Sequence, residues 1–139
     1  MLEHTQTQLD YSGYRLQRAK EDLRAACLLF SNGEYRIANN RAYYSMFHAM
    51  RALLVFDNFD TSKHSGVIAE FRRKYIKTGM LPVELSKMVG AAFTIRNASD
   101  YDDMFIASKT DTEVQISNAK FVCETIEEYI NKLVLSDGI

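Results

Sequence analysis

Apolar residues recur at three- and four-residue steps from Leu16 to Leu133, and sustained apolar–polar alternation is almost absent. That period places side chains on one face of an α-helix, whereas a half-buried strand needs a period of two. One proline and six glycines in 139 residues leave long stretches without a breaker. The chain is therefore expected to be all-α, a helical bundle. Its length suits one domain with a real core, residues 1–139, with the helical core at about 14–134.

The first helix is expected from Tyr14 to Phe30, with Leu16, Ala19, Leu23, Ala26 and Cys27 inward and Gly33 as the left-handed stop. A long second helix is expected from Glu34 to Asp57. A third follows a Thr61-Ser62 start signal, from His64 to Lys77. Pro82 suits the first turn of a fourth, whose Leu85, Met88, Val89, Ala92 and Phe93 face inward. Thr110 and Glu113 read as a capping box opening the last helix, with Ala119, Val122, Ile126, Tyr129 and Leu133 as its buried stripe.

The net charge of −1 excludes a strongly basic tail, so a nucleic-acid site would have to be a local patch. Cys27 and Cys123 lie far apart without metal spacing and read as buried thiols of a reducing compartment. No basic-then-apolar leader opens the sequence, and the longest clean apolar run, Ala52 to Phe56, is too short for a bilayer. A cytoplasmic protein without a membrane partner is expected. Histidines and carboxylates show no ligand spacing, and a phosphate loop, nucleophile elbow and paired-cysteine motif are missing, so neither metal nor cofactor is expected.

The densest chemistry is the run Arg96-Asn97-Ala98-Ser99-Asp100-Tyr101-Asp102-Asp103, beside the apolar Ala91-Ala92-Phe93. It reads either as a reactive site or as a helix end on which Arg96 pairs with Asp100 one turn on. On the second helix, a wheel of about 100° per residue gathers Arg36, Asn40, Arg41, Tyr44, Ser45, His48 and Arg51 on one half. Ala38, Ala42, Tyr43, Met46, Ala49, Met50 and Leu53 occupy the other, which should be core. Ile37 and Phe47 interrupt the polar half, so partial burial against a partner or ligand is expected there; the alternative is a solvated face of snorkelling arginines. His4 belongs to a polar terminus, His48 to the mixed face, and His64 to a helix start, where it could cap. Arg72-Arg73-Lys74 with Lys77 reads as a solvated charge run, or, with Phe71 and Tyr75 interleaved, as an RNA-holding patch.

The run from Tyr35 to Ala49, YRIANNRAYYSMFHA, resembles the second helix of small bacterial and archaeal HEPN-domain proteins. Lys63 to Ile68, Lys77-Thr78-Gly79 and Arg96-Asn97 through Asp103 fit the same subgroup in the same order. The resemblance runs from about Leu16 to Tyr129. It implies an up-and-down four-helix bundle with an additional short helix, paired as a homodimer. It also implies a minimal nucleotidyltransferase partner, the two acting as toxin and antitoxin.

Active members of that family are metal-independent ribonucleases whose signature is an arginine, a polar residue, then a histidine. Arg96 and Asn97 match the first two. The histidine should fall at position 101, 102 or 103, where this chain has Tyr101, Asp102 and Asp103. A histidine near its ordinary pKa of about 6.5 exchanges protons at neutral pH, and a tyrosine near about 10 mostly does not. The resemblance therefore implies a component that binds RNA or nucleotide phosphate; the alternative is an active endoribonuclease using Arg96 in a dimer cleft. The candidate catalytic residues are Arg96, Asn97, Tyr101 and His48. The candidate ligand-binding residues are Arg41, Tyr44, Arg51 and His64. Related proteins are modified by the nucleotidyltransferase at a nearby tyrosine, which marks Tyr101 as a second kind of candidate.

Overall fold

The computed structural model describes residues 4–137 and contains five α-helices among them. They are α1 (Gln6–Ser31), α2 (Tyr35–Leu54), α3 (His64–Phe71), α4 (Val83–Tyr101) and α5 (Lys109–Asp137). A 3-10 turn, Val55–Asp57, extends α2, and a π-helical turn, Arg72–Ile76, extends α3. The long α1, α2, α4 and α5 form the expected four-helix bundle, and α3 is the additional short helix. No described helix is long and apolar enough to cross a membrane.

The second helix is the axis of the bundle and packs against α1, α3, α4 and α5. Its predicted inner half is fully buried: Ala38, Ala42, Tyr43, Met46, Ala49, Met50 and Leu53 all have 0% exposure. The alanines let neighbouring helices come close, and Met46 and Met50 fill the gaps between them. Each large apolar side chain buried this way contributes about 1.5–3 kcal/mol. Facing them are Leu85 and Val89 of α4 and Ala119, Val122 and Ile126 of α5, also buried. Gly33 adopts φ +78° behind α1, the left-handed stop its position predicts.

Several expected details change. The first helix starts eight residues earlier than Tyr14, because Thr5 and Gln8 form a capping box: Gln8 N–H donates to Thr5 Oγ1 at 3.1 Å, and Thr5 N–H to Gln8 Oε1 at 2.9 Å. Gly13 is carried inside that helix with open space around it. Pro82 sits one residue before α4 as its N-cap. Thr110 lies inside the first turn of α5; Ser108 does the capping, its Oγ accepting Asp111 N–H at 3.0 Å. Cys27 is only half-buried, whereas Cys123 is buried, and both thiols are free. Burial pushes the Cys123 thiol up to about 12.

The aromatic members of the basic run turn inward. Phe71 and Tyr75 are buried, and the Tyr75 hydroxyl donates to Asp57 Oδ2 at 2.6 Å. Arg73 clasps Glu70 through two bonds, Lys74 reaches Asp57, and Arg72 bonds Ser86. With neither ring available for stacking, the run is structural and solvated rather than a patch for RNA.

Candidate functional site

The ring of Tyr44 is where the expected residues meet. Half-buried on α2, it has the Arg41 guanidinium over its face, Cζ 4.8 Å from the centroid. Arg96, arriving from α4, donates from Nη2 to the Tyr44 hydroxyl at 3.3 Å. The His64 ring of α3 stands edge-on to it at 5.6 Å, and His48, one turn along α2, lies 6.2 Å away. Asn97 is attached through its Oδ1, which accepts from Arg96 Nη1 at 3.3 Å. Arg51 closes the end of the cluster, its Cζ 5.6 Å from the Phe47 ring centroid. Three helices thus converge Arg41, Tyr44, His48, Arg51, His64, Arg96 and Asn97.

Tyr101 does not join them. It ends α4 with 79% of its surface exposed and no side-chain hydrogen bond or ring contact among the described residues. Asp102 is turned to the chain beyond, its Oδ1 accepting Met104 N–H at 2.9 Å. From the motif's tail only Asp100 returns to Arg96, with Oδ2 3.0 Å from Nε. That contact is an ion pair and not an aligned hydrogen bond, since the buried Nε–H finds no acceptor in line. The helix-end pairing expected as the plain alternative is therefore present, together with the inward contact to Tyr44.

The half-buried polar face of α2 is covered largely from within the chain. Phe47 is buried, with the His64 ring stacked on it at 4.2 Å and 12°. His64 does not cap α3: Lys63 takes that position without a side-chain bond. Its Nδ1 instead lies 2.6 Å from the Tyr43 hydroxyl, a strong bond within a stacked pair. Ser45, at the boundary of the polar half, turns into the core, where its carbonyl accepts the Cys123 thiol at 3.4 Å.

Two residues that matter were not singled out from the sequence, Asp22 and Asn39, and a third, Arg36 of the polar half, has a partner its position did not announce. Asp22 of α1 is buried, and its carboxylate accepts from Arg41 Nη1 at 3.1 Å and lies 3.4 Å from His48 Nε2. Its signal was a carboxylate inside the apolar stripe, between Ala19 and Ala26. Arg36 ties α2 to the end of α4 by donating from Nε to Ser99 Oγ at 3.2 Å and from Nη2 to the Ser99 carbonyl. Asn39 is buried and donates to Thr112 Oγ1 at 2.9 Å, locking α2 to α5. Nothing local in the sequence pairs residues so far apart.

The electrostatics leave both site imidazoles neutral at neutral pH. His48 is lowered to about 4, chiefly by burial and further by Arg18, Arg51 and Arg15, against an opposing pull from Asp22. Burial, then Arg96 and Arg51, also lowers His64. Burial raises the Tyr43 phenol, so it stays protonated. A neutral imidazole can accept a proton or a hydrogen bond, but supplies no imidazolium acid at pH 7. The permanent charges are the arginines, whose planar forks suit phosphate oxygens. Among the described residues no group of three or more histidine, cysteine or carboxylate side chains could hold a metal ion.

An all-α bundle with an arginine–tyrosine–histidine cluster across three helices is the class that these features define. The profile of the HEPN domain matches residues 12–129, and the chain belongs to the HEPN-domain family. A UPF0332 protein of Thermotoga maritima is 36% identical over 120 residues, 86% of this chain and 91% of that protein. A Methanocaldococcus jannaschii protein bearing the name "putative toxin" is 31% identical over 115 residues, 83% of this chain and 78% of its own.

Proposed function

We propose that this chain is the RNA- or nucleotide-phosphate-binding component of a toxin–antitoxin-type pair, with a minimal nucleotidyltransferase as partner. The observation that carries the reading is the meeting of Arg41 and Arg96 at one half-buried tyrosine, Tyr44, the first over its ring and the second on its hydroxyl. Two fixed guanidiniums can grip a phosphate through their planar forks. Asp100 opposes an incoming anion. Its pairing with Arg96 is partly exposed, so a phosphate can displace it at a cost of about 0–1 kcal/mol. The name of the Methanocaldococcus jannaschii relative supports the toxin side of the proposal.

The 79% exposure of Tyr101 favours a substrate for the nucleotidyltransferase over a residue of the cleft. A modification there, five residues beyond Arg96 at the end of the same helix, would add charge and bulk on α4, a way for a partner to silence the site. The ribonuclease alternative draws on the two neutral imidazoles flanking Tyr44, either of which could take a proton from a ribose hydroxyl while Arg96 stabilises charge on phosphorus.

The test is binding of labelled RNA and of AMP to wild type and Arg96→Lys across a salt series, with folding checked by circular dichroism. Lysine keeps the charge and loses the fork, so at least a tenfold loss is expected, since one charged hydrogen bond contributes about 1.5–3 kcal/mol and tenfold is ~1.4 kcal/mol. Equal affinity at every salt concentration would refute the phosphate reading. An RNA-cleavage assay in chelator on the same proteins separates the binding module from the ribonuclease.

A further inference from the structure

Two tyrosines on α1, Tyr11 and Tyr14, are left 56% and 58% exposed on one face of that helix. They border one shallow depression together with Thr7 and Asp10. Tyr11 also borders a second, with Arg15, Phe59 and Asp60. Both rings are more than half open to solvent, and at a three-residue step they lie side by side on the helix as a platform. Cations back it: Arg18 Nη1 donates to the Tyr14 hydroxyl at 3.2 Å, and Arg15 Nη2 lies 3.5 Å from Asp60.

The platform is continuous with the Tyr44 cluster. Asp60 receives Arg15 from α1 and, at 2.5 Å, Arg51 from α2. Arg51 lies by Phe47, which stacks on His64 beside Tyr44. Arg15 and Arg51 meet on Asp60 and divide that one carboxylate between them. Arg18, one turn of α1 from Tyr14, donates to the Tyr14 hydroxyl and has Asp22 and Glu21 nearby; Asp10, at the far edge of the band, accepts the Gln6 amide at 2.8 Å. From Tyr44 to Arg51 is seven residues of helix, about 10 Å at a rise of about 1.5 Å each. A single nucleotide held at Tyr44 does not reach Tyr11 and Tyr14 at the far end of that band, whereas a strand does.

We propose that Tyr11 and Tyr14, with Arg15 and Arg18, form a base-stacking subsite for single-stranded RNA, joined through Arg51 to the Tyr44–Arg96 site. The inference rests on the phosphate-binding reading above and narrows its ligand to a strand of several nucleotides. Rings stack on any base, and the arginines follow the backbone charge, so the subsite adds affinity and length dependence with little sequence preference.

The experiment measures binding of AMP and of a labelled ten-nucleotide oligoadenylate to four proteins: wild type, Tyr11→Ala/Tyr14→Ala, Tyr11→Phe/Tyr14→Phe and Arg96→Lys. The alanine pair is expected to weaken the ten-mer by about tenfold or more, from stacking contributions of roughly five- to a hundredfold per base. It should leave AMP binding unchanged, and the phenylalanine pair should bind the ten-mer as wild type does. Both substituted positions are exposed, and circular dichroism checks the fold. A ten-mer bound equally well by the alanine pair overturns the subsite, as does equal weakening by the phenylalanine pair. So does a change of sedimentation from dimer to monomer in the alanine pair, which would make the platform a contact between copies of the chain. Undiminished AMP and ten-mer binding by Arg96→Lys would sink the Tyr44–Arg96 reading separately, because the tyrosine effect is measured on a different variant.

Discussion

Replacing His48 by glutamine should make the protein less sensitive to acid, and the size of the effect follows from its surroundings. Burial against α1 and three nearby arginines lower the folded-state pKa to about 4, from an unfolded value of 6.5. The sign is fixed by which state binds the proton. Above pH ~6.5 the ring is neutral in both states and contributes no difference. As pH falls from ~6.5 towards ~4, the unfolded chain takes up a proton that the folded protein refuses, so stability is lost across that window. Each pKa unit is worth ~1.36 kcal/mol, which sets a ceiling of about 3 kcal/mol. The ring keeps 13% of its side-chain surface in contact with water, so some relaxation and screening reduce the expectation to about 2 kcal/mol. Carboxylates such as Asp60 and Glu70, which their arginine partners hold below the usual range, also titrate in acid. Urea unfolding of wild type and His48→Gln at pH 7, 5.5 and 4 separates the contributions. Wild type should lose about 2 kcal/mol more than the variant between pH 7 and 4. Parallel pH profiles would refute the buried neutral imidazole, and with it the description of His48 as a proton acceptor.

Ala42→Leu should overpack the α2 core by inserting three carbons where there is no exposure, at a cost of about 1–3 kcal/mol; an unchanged denaturation midpoint would show that the crossing is looser than it looks. Asn39→Ala removes the bond to Thr112 and should cost about 1–2 kcal/mol, read from the same urea curves, with no change in slope. A homodimer is expected at tens of micromolar in sedimentation, and a monodisperse monomer would refute that assembly.

The inner half of α2 was legible because the helical period and the Ala38-Ala42-Ala49 strip are local properties of the chain: a side chain's direction on a helix follows from its position alone. Gly33 was legible for the same reason, since only its backbone had to be favourable. Local reasoning was less successful at helix starts. Thr5 and Ser108 compete with neighbouring residues of equal capping ability, and a helix extends to the earliest cap whose turns stay packed. The run Arg72-Arg73-Lys74 left a solvated face and an RNA patch both open, because spacing does not say which way a helix faces; Phe71 and Tyr75 face the core, which favours the solvated reading.

The candidate site divides along the same line. Its residue types were readable in the sequence: two arginines, a tyrosine and a histidine on one face of α2, and Arg96-Asn97 at the end of α4. The sequence by itself determined an all-α chain, the buried face of each long helix and the chemistry available on the other faces. Only the tertiary structure decided that Arg96 meets Tyr44 across 52 positions, that Asp22 holds Arg41 beside His48, and that Tyr101 stands apart in solvent. Periodicity is set within a few residues of chain. Which helices stand side by side, and at what rotation, follows from packing the whole core at once, and no local pattern encodes that.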